Sequence, residues 1–197
     1  NATGAIGLPY NTIQGGLDGI TRNAADGDQI NIKAATAQVL AASLTLATYG
    51  TPTGIVPLVL RGYTAAANDG GIGEINCNGS TMWVVATYDF IVLAELKIHN
   101  GGNNHLCELD LNIVIYKCEF YIGASTPTAK RLLSITGNAI VIGCFFHDQG
   151  AGASYGLFSG GGQVIGNYFA PGSATGTSSY ALYNGSSNAI LVVIGNV

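Results

Sequence analysis

Glu108 and Asp110 stand two residues apart in HLCELD, a spacing that puts both carboxylates on one face of a strand. Eliminative cleavage of a uronate polymer would need such groups as calcium ligands, with a basic residue to remove the proton beside the uronate carboxylate. The pair does not grow into a cluster. Ser134 and Thr136, then Phe158 and Gly160, hold the matching places in the segments that follow, with no Arg or Lys adjacent. Glycoside hydrolysis would need two carboxyl groups about 5 Å apart for retention, or roughly 6.5 to 9.5 Å apart for inversion. None of the 11 acidic residues forms a persuasive pair for that role.

The three histidines, His99, His105 and His147, fall at or beside the ends of apolar runs. Asp148 is the one hard ligand next to them, and Tyr121 takes the place between His99 and His147, so no metal-ligand spacing emerges. Surface histidines at strand ends are expected. Cys77, Cys107, Cys118 and Cys144 lack a Cys-x-x-Cys spacing and read as buried, unpaired thiols, neither a zinc nor a redox motif. Gly160 to Gly162 has no following Gly-Lys-Ser or Gly-Lys-Thr and reads as a turn, not a phosphate loop. No Ser, His and Asp triad can be drawn from sequence alone, because such groups meet only in space. No catalytic residue, metal or cofactor is assigned.

Aromatic side chains are the remaining groups with chemical content. Phe145 and Tyr168 fall at equivalent outward places on adjacent repeats, as do Phe158 and Tyr183 on another face. Sugar rings dock on such apolar faces when polar groups lie nearby, and His147 and Asp148 supply those. The plainer reading is packing under loops or against another subunit. These six residues are the candidate glycan contacts.

The elements that must position these residues follow from a repeat. IVLAELKIHN, NIVIYKCEFY, NAIVIGCFFH, GQVIGNYFA and ILVVIGNV share an apolar run, a small or Cys position and then an aromatic. Aligning Leu96, Cys118, Cys144, Asn167 and Asn196 gives spacings of 22, 26, 23 and 29 residues. A second strand precedes each copy, in MWVVAT, HLCELD, RLLSIT, YGLFSG and YALYNG, with spacings of 23, 26, 24 and 25. The period is too short for a propeller blade and lacks the leucine-rich repeat consensus. It predicts a single-stranded parallel β-helix with rungs of about 22 to 29 residues, in which the two strands of a rung meet at a tight link. HNGGNNH, YIGASTPTAK, HDQGAGAS and APGSATGTSSY then become loops leaving one edge of the coil.

In that register Leu96, Cys118, Cys144, Asn167 and Asn196 form one inward row, and Ile98, Phe120, Phe146 and Phe169 a second. Glu95 with Lys117, and Lys97 with Glu119, are expected as outward cross-rung ion pairs, and Asn112 with Asn138 as an asparagine ladder. At the N-terminal end, Asn11 or Thr12 can cap a short helix whose Ile13, Leu17 and Ile20 form one apolar face laid over the open coil. QINIK, VLAASLTLA and PLVLRGY read as the first strands. The chain is thus expected as one domain, 1–197, with a cap over 1–28 and rungs over 29–197. Nothing in NAILVVIGNV covers the last rung, so further residues or another copy are expected to cover it.

DGDQINIKAAT, LTLATYGTPTGIVPLVLRGYT and EINCNG resemble the N-terminal capping region of pectate-lyase-like proteins. The resemblance spans essentially the whole chain and implies the right-handed form of the helix. It is specific for fold and weak for activity, because this fold hosts polysaccharide lyases and hydrolases, secreted adhesins, and phage tailspikes and other virion proteins. The Asn-Thr-Asp, Asp-Asp, Gly-His-Gly and Arg-Ile-Lys motifs of the β-helical polygalacturonases do not occur.

Composition bounds the partners. Only 9% of the residues are charged, the net charge is −4, and the seven basic residues are scattered, so nucleic acid is not an expected partner. No apolar run has the roughly 20 residues of a spanning helix. The expected role is therefore a non-enzymatic structural or attachment module of a virion or cell surface, extracellular or on the virion, binding a polysaccharide or surface glycan. It is expected as a homo-oligomer, for which a trimer would serve, or with other structural subunits. The alternative is a polysaccharide lyase or glycoside hydrolase of the same fold.

Overall fold

The structure is a computed structural model and describes residues 11–21, 27–34, 36–46, 57–82, 90–101, 105–109, 112–122, 131–147, 155–170, 180–185 and 190–197. A single helix among them, α1 (Ile13–Gly19), begins at Thr12, whose Oγ1 accepts the Gly15 N–H at 2.9 Å. Ile13 and Leu17, with Ile20 just beyond the helix, join the same apolar core as the strands.

The strands that follow are β1 (Asp28–Lys33), β2 (Gln38–Val39), β3 (Leu58–Tyr63), β4 (Gly73–Asn76), β5 (Ile91–Ala94), β6 (Leu96–His99), β7 (His105–Leu109) and β8 (Ile113–Tyr116). After them come β9 (Glu119–Tyr121), β10 (Arg131–Ile142), β11 (Phe145–His147), β12 (Tyr155–Ile165), β13 (Tyr168–Phe169), β14 (Tyr180–Asn184) and β15 (Leu191–Ile194). Every pairing among them is parallel. One sheet runs β1-β3-β5-β8-β10-β12-β14, with β7 also on β10 and β15 on β12; the other runs β13-β11-β9-β6-β4-β2. The chain passes back and forth between the two sheets as it climbs, which makes the molecule a parallel β-solenoid.

The repeat spacings read from the sequence are the hydrogen-bonding registers. Val92 pairs with Val114, Ile113 with Ala139, Ala139 with Gly162, and Gly162 with Leu191, offsets of 22, 26, 23 and 29 residues. The second register holds where it is described: His105 to Arg131, Leu133 to Leu157 and Leu157 to Leu182 are steps of 26, 24 and 25. MWVVAT lies mostly outside the described residues. The expected tight link between the two strands of a rung is, in β10, a register irregularity between Ile135 and Asn138 inside one continuous strand. Gly160 to Gly162 sits opposite it inside β12, where a Cβ at Gly160 would fall on the Thr136 carbonyl oxygen and one at Gly162 on the Ala139 carbonyl. These glycines therefore allow close backbone approach rather than forming a turn.

Both inward rows are present. Leu96, Cys118, Cys144 and Asn167 are buried, and the rings of Phe120, Phe146 and Phe169 stack at 5.2 and 4.9 Å between centroids. All four cysteines are free and buried; burial alone pushes the Cys77 thiol up to about 12.

Further expectations change. Glu95 does not face Lys117. It sits at φ 56° with its carboxylate buried, and its Oε2 accepts from Arg61 Nε at 2.7 Å, while Lys117 lays its Nζ over the Tyr116 ring at 4.9 Å. The cause is that Glu95, Lys117, Gly143, Gly166 and Gly195 occupy the corner of successive rungs, all with φ between 51° and 62°, so their side chains do not follow strand alternation. Lys97 and Glu119 are register partners on β6 and β9, but Lys97 Nζ lies over Tyr121 and Glu119 pairs with His147.

The asparagine ladder also lies elsewhere. Asn112 and Asn138 are exposed, and the inward Asn167 and Asn196 form the amide ladder instead. Asn167 Oδ1 accepts the Cys144 N–H at 2.8 Å, its Nδ2 donates to the Val141 carbonyl, and Asn196 Oδ1 accepts the Asn167 N–H. Among the described residues of VLAASLTLA, 39–46, no regular strand continues beyond Val39; Leu40, Leu44 and Leu46 are buried from an irregular path.

Candidate functional site

The strands of the six-stranded sheet alternate inward and outward residues, which lays two outward columns side by side along the solenoid. One contains Glu74, Lys97, Glu119, Phe145 and Tyr168 in successive register, and the other Asn76, His99, Tyr121 and His147. The first column is charged over β4, β6 and β9 and becomes aromatic over β11 and β13.

The second column is a stack of rings. His99 lies on Tyr121 at 4.9 Å with an interplanar angle of 1°, and Tyr121 on His147 at 4.8 Å and 11°. Both distances match one rung step of about 4.8 Å, so parallel pairing itself sets the stacking. Phe145 meets His147 from the neighbouring column at 4.3 Å and 23°, and Tyr168 follows Phe145 at 5.4 Å, tilted by 44°. Five rings are thus contiguous from His99 to Tyr168. His99, Tyr121 and His147 turn their faces to one another. Phe145 and Tyr168 are 36% and 49% exposed and present the accessible aromatic surface.

The polar groups along this face are held in place. Glu119 Oε1 lies 2.9 Å from His147 Nε2, and Glu74 Oε1 lies 2.9 Å from His99 Nε2, the latter a close contact without the alignment of a hydrogen bond. Lys97 lays its Nζ over the Tyr121 ring at 5.2 Å, and Tyr121 foremost, with the carboxylates of Glu119 and Glu74, holds it above the ordinary lysine range. His99 was expected at the surface; it is buried, because Tyr121 covers one face of its ring.

The structure therefore unites three of the six sequence candidates, Phe145, Tyr168 and His147. Asp148 lies outside the described residues. Phe158 is in register with Tyr183, as expected, but on the other sheet. Tyr183 is exposed there, with its ring 5.7 Å from Tyr180. Sequence reading places Tyr121 between His99 and His147 and Lys97 outward opposite Glu119, but does not join either to the aromatic candidates. The 26-residue step from Tyr121 to His147 contained the signal, since it equals the step from Cys118 to Cys144.

A second polar group lies on β7 and β10. Arg131 is the register partner of His105, and Ser134 that of Glu108; Arg131 Nη1 donates to Ser134 Oγ at 3.2 Å, and Glu108 Oε2 is 3.9 Å from His105 Nε2. A basic residue therefore does stand near Glu108, contrary to the sequence reading. It arrives from the next rung, 26 residues away from His105. Burial holds the His105 imidazole below its ordinary range, against the opposing pull of Glu108. Asp110 lies outside the described residues. Among the described residues, no group of three or more His, Cys, Asp or Glu could hold a metal ion, and no helix is long and apolar enough to cross a membrane. No family model, curated protein or solved structure matches the chain.

Proposed function

We propose that this protein is a non-enzymatic attachment module, a rigid solenoid of the pectate-lyase-like, right-handed kind with α1 as its N-terminal cap, which displays a carbohydrate-binding face on a virion or cell surface. The observation that carries the reading is the pair of exposed, mutually tilted rings of Phe145 and Tyr168, set on paired strands and flanked by the Glu119 and His147 polar pair. Apolar ring surface beside fixed hydrogen-bonding groups is what a sugar ring, apolar on its C–H face and polar at its rim, requires. Parallel strands make such a face stiff, so little ordering entropy opposes binding. Exposed Tyr180 and Tyr183 support contact with further copies or other structural subunits.

The second reading, a polysaccharide-cleaving enzyme, is favoured by the His105, Glu108 and Arg131 group, which brings an acid, an imidazole and a guanidinium onto one sheet face. One experiment separates the two readings. The protein is incubated with a panel of polysaccharides, and both retention and new reducing or unsaturated chain ends are measured. Retention without new ends is expected. Release of ends that stops in Glu108→Gln would overturn the attachment reading in favour of the enzyme.

A further inference from the structure

Resting on that carbohydrate reading, we infer that the face over Phe145 and Tyr168 takes an uncharged polysaccharide and discriminates against polyuronates and sulfated glycans. Binding an anionic polymer requires cations available to its carboxylates or sulfates, best as guanidinium forks or clustered ammonium groups. The outward columns of the six-stranded sheet contain one lysine, Lys97, and it lies in register between Glu74 and Glu119 with its Nζ over the Tyr121 ring. Its charge is met on both sides by carboxylates of its own column.

Among the described residues of that column, the charged group next to the exposed rings is Glu119, one rung from Phe145. An acidic sugar on Phe145 would meet that carboxylate at about one rung step, where like charges repel. None of the remaining described cations stands in the outward columns of this face, and Lys117 turns its Nζ over the Tyr116 ring of the other sheet. Arg61 pairs with Glu95, Lys117 stands at the rung corner, and Lys33 and Arg131 belong to β1 and β10 of the other sheet. A neutral sugar meets no such penalty. Its hydroxyls can donate to the Glu119 carboxylate, and the column of one residue per rung offers successive contacts to an extended polymer lying along the solenoid.

The test is affinity electrophoresis of the full chain in native gels cast with single polymers: dextran, galactomannan and hydroxyethyl cellulose as neutral probes, polygalacturonate, alginate and chondroitin sulfate as anionic ones. Retardation by at least one neutral polymer and by no anionic polymer is expected, with little response to added salt. Tyr168→Ala, at an exposed position, should weaken that retardation by about tenfold while leaving the circular dichroism spectrum and melting temperature intact. Retardation by anionic polymers, alone or equally, would overturn the inference about charge and leave the carbohydrate reading standing. Retardation by none would overturn both. Neutral binding unchanged in both Tyr168→Ala and Phe145→Ala would overturn the placement of the site.

Discussion

Asp69 shows how a single side chain can organise a segment with no regular structure. Its two carboxylate oxygens accept the N–H groups of Thr64, Ala65, Ala66 and Gly71 at 2.6 to 3.0 Å. Those bonds, from Ala66 and Ala65 foremost, hold its carboxyl well below the ordinary range. Because the folded carboxyl stays ionised to lower pH than the unfolded one, its contribution to stability is present above the unfolded value of about 4 and is lost as pH falls below it. Melting temperatures across that acid range should fall for the parent chain, and Asp69→Asn should lack this part of the slope. Arg61 and Glu95 form the other residue-scale device, a carboxylate 8% exposed against a guanidinium 28% exposed. Arg61→Ala leaves Glu95 buried without its partner and should cost about 1 to 2 kcal/mol, less than a fully buried pair because Arg61 is partly solvated. Adding Glu95→Gly should recover part of that loss in denaturant titrations, since it removes both the stranded charge and a side chain held at φ 56°.

The elements are joined at rung corners, and there the backbone decides. Gly166 sits at φ 60°, and a Cβ added to it would meet only open space, so packing gives no reason for glycine there. Gly166→Ala should therefore cost about 1 kcal/mol, from conformation alone, and Gly166→Asn should cost less in the same chemical denaturation measurement. The next residue along, Asn167, is 1% exposed and binds the rungs on both sides. Asn167→Ala would strip the buried Cys144 N–H of its side-chain acceptor and remove a bond to the Val141 carbonyl, an expected loss of about 2 to 3 kcal/mol. Hydrogen exchange should locate the effect at Cys144 and Asn167 rather than in β1 and β3.

Over the whole molecule, the two kinds of aromatic should separate cleanly by burial. Phe146 is fully buried between Phe120 and Phe169, and Phe146→Ala should cost about 3 to 5 kcal/mol. Phe145, its neighbour in the chain, is exposed, and Phe145→Ala should change the melting temperature little while weakening carbohydrate binding. Equal destabilisation by both would mean that the face is covered in solution.

The sequence by itself determined the period, the parallel stacking and the two inward rows, because each rung buries the same positions and a parallel register repeats them at the chain offset itself. Phe145 over Tyr168, the unpaired thiols and a helix cap at Asn11 or Thr12, of which the structure uses Thr12, follow from the same local rules of facing and capping. Only the tertiary structure decided where the side chains at the corners go. Strand alternation cannot describe a residue in the left-handed region, and so Glu95 turned to Arg61 and Lys117 to Tyr116. It also decided which polar groups meet. Ser134 beside Glu108 follows the 26-residue spacing itself, whereas the Arg131 guanidinium on Ser134 Oγ and Glu119 on His147 are off-register contacts, chosen by distances of a few ångströms that a spacing along the chain does not contain.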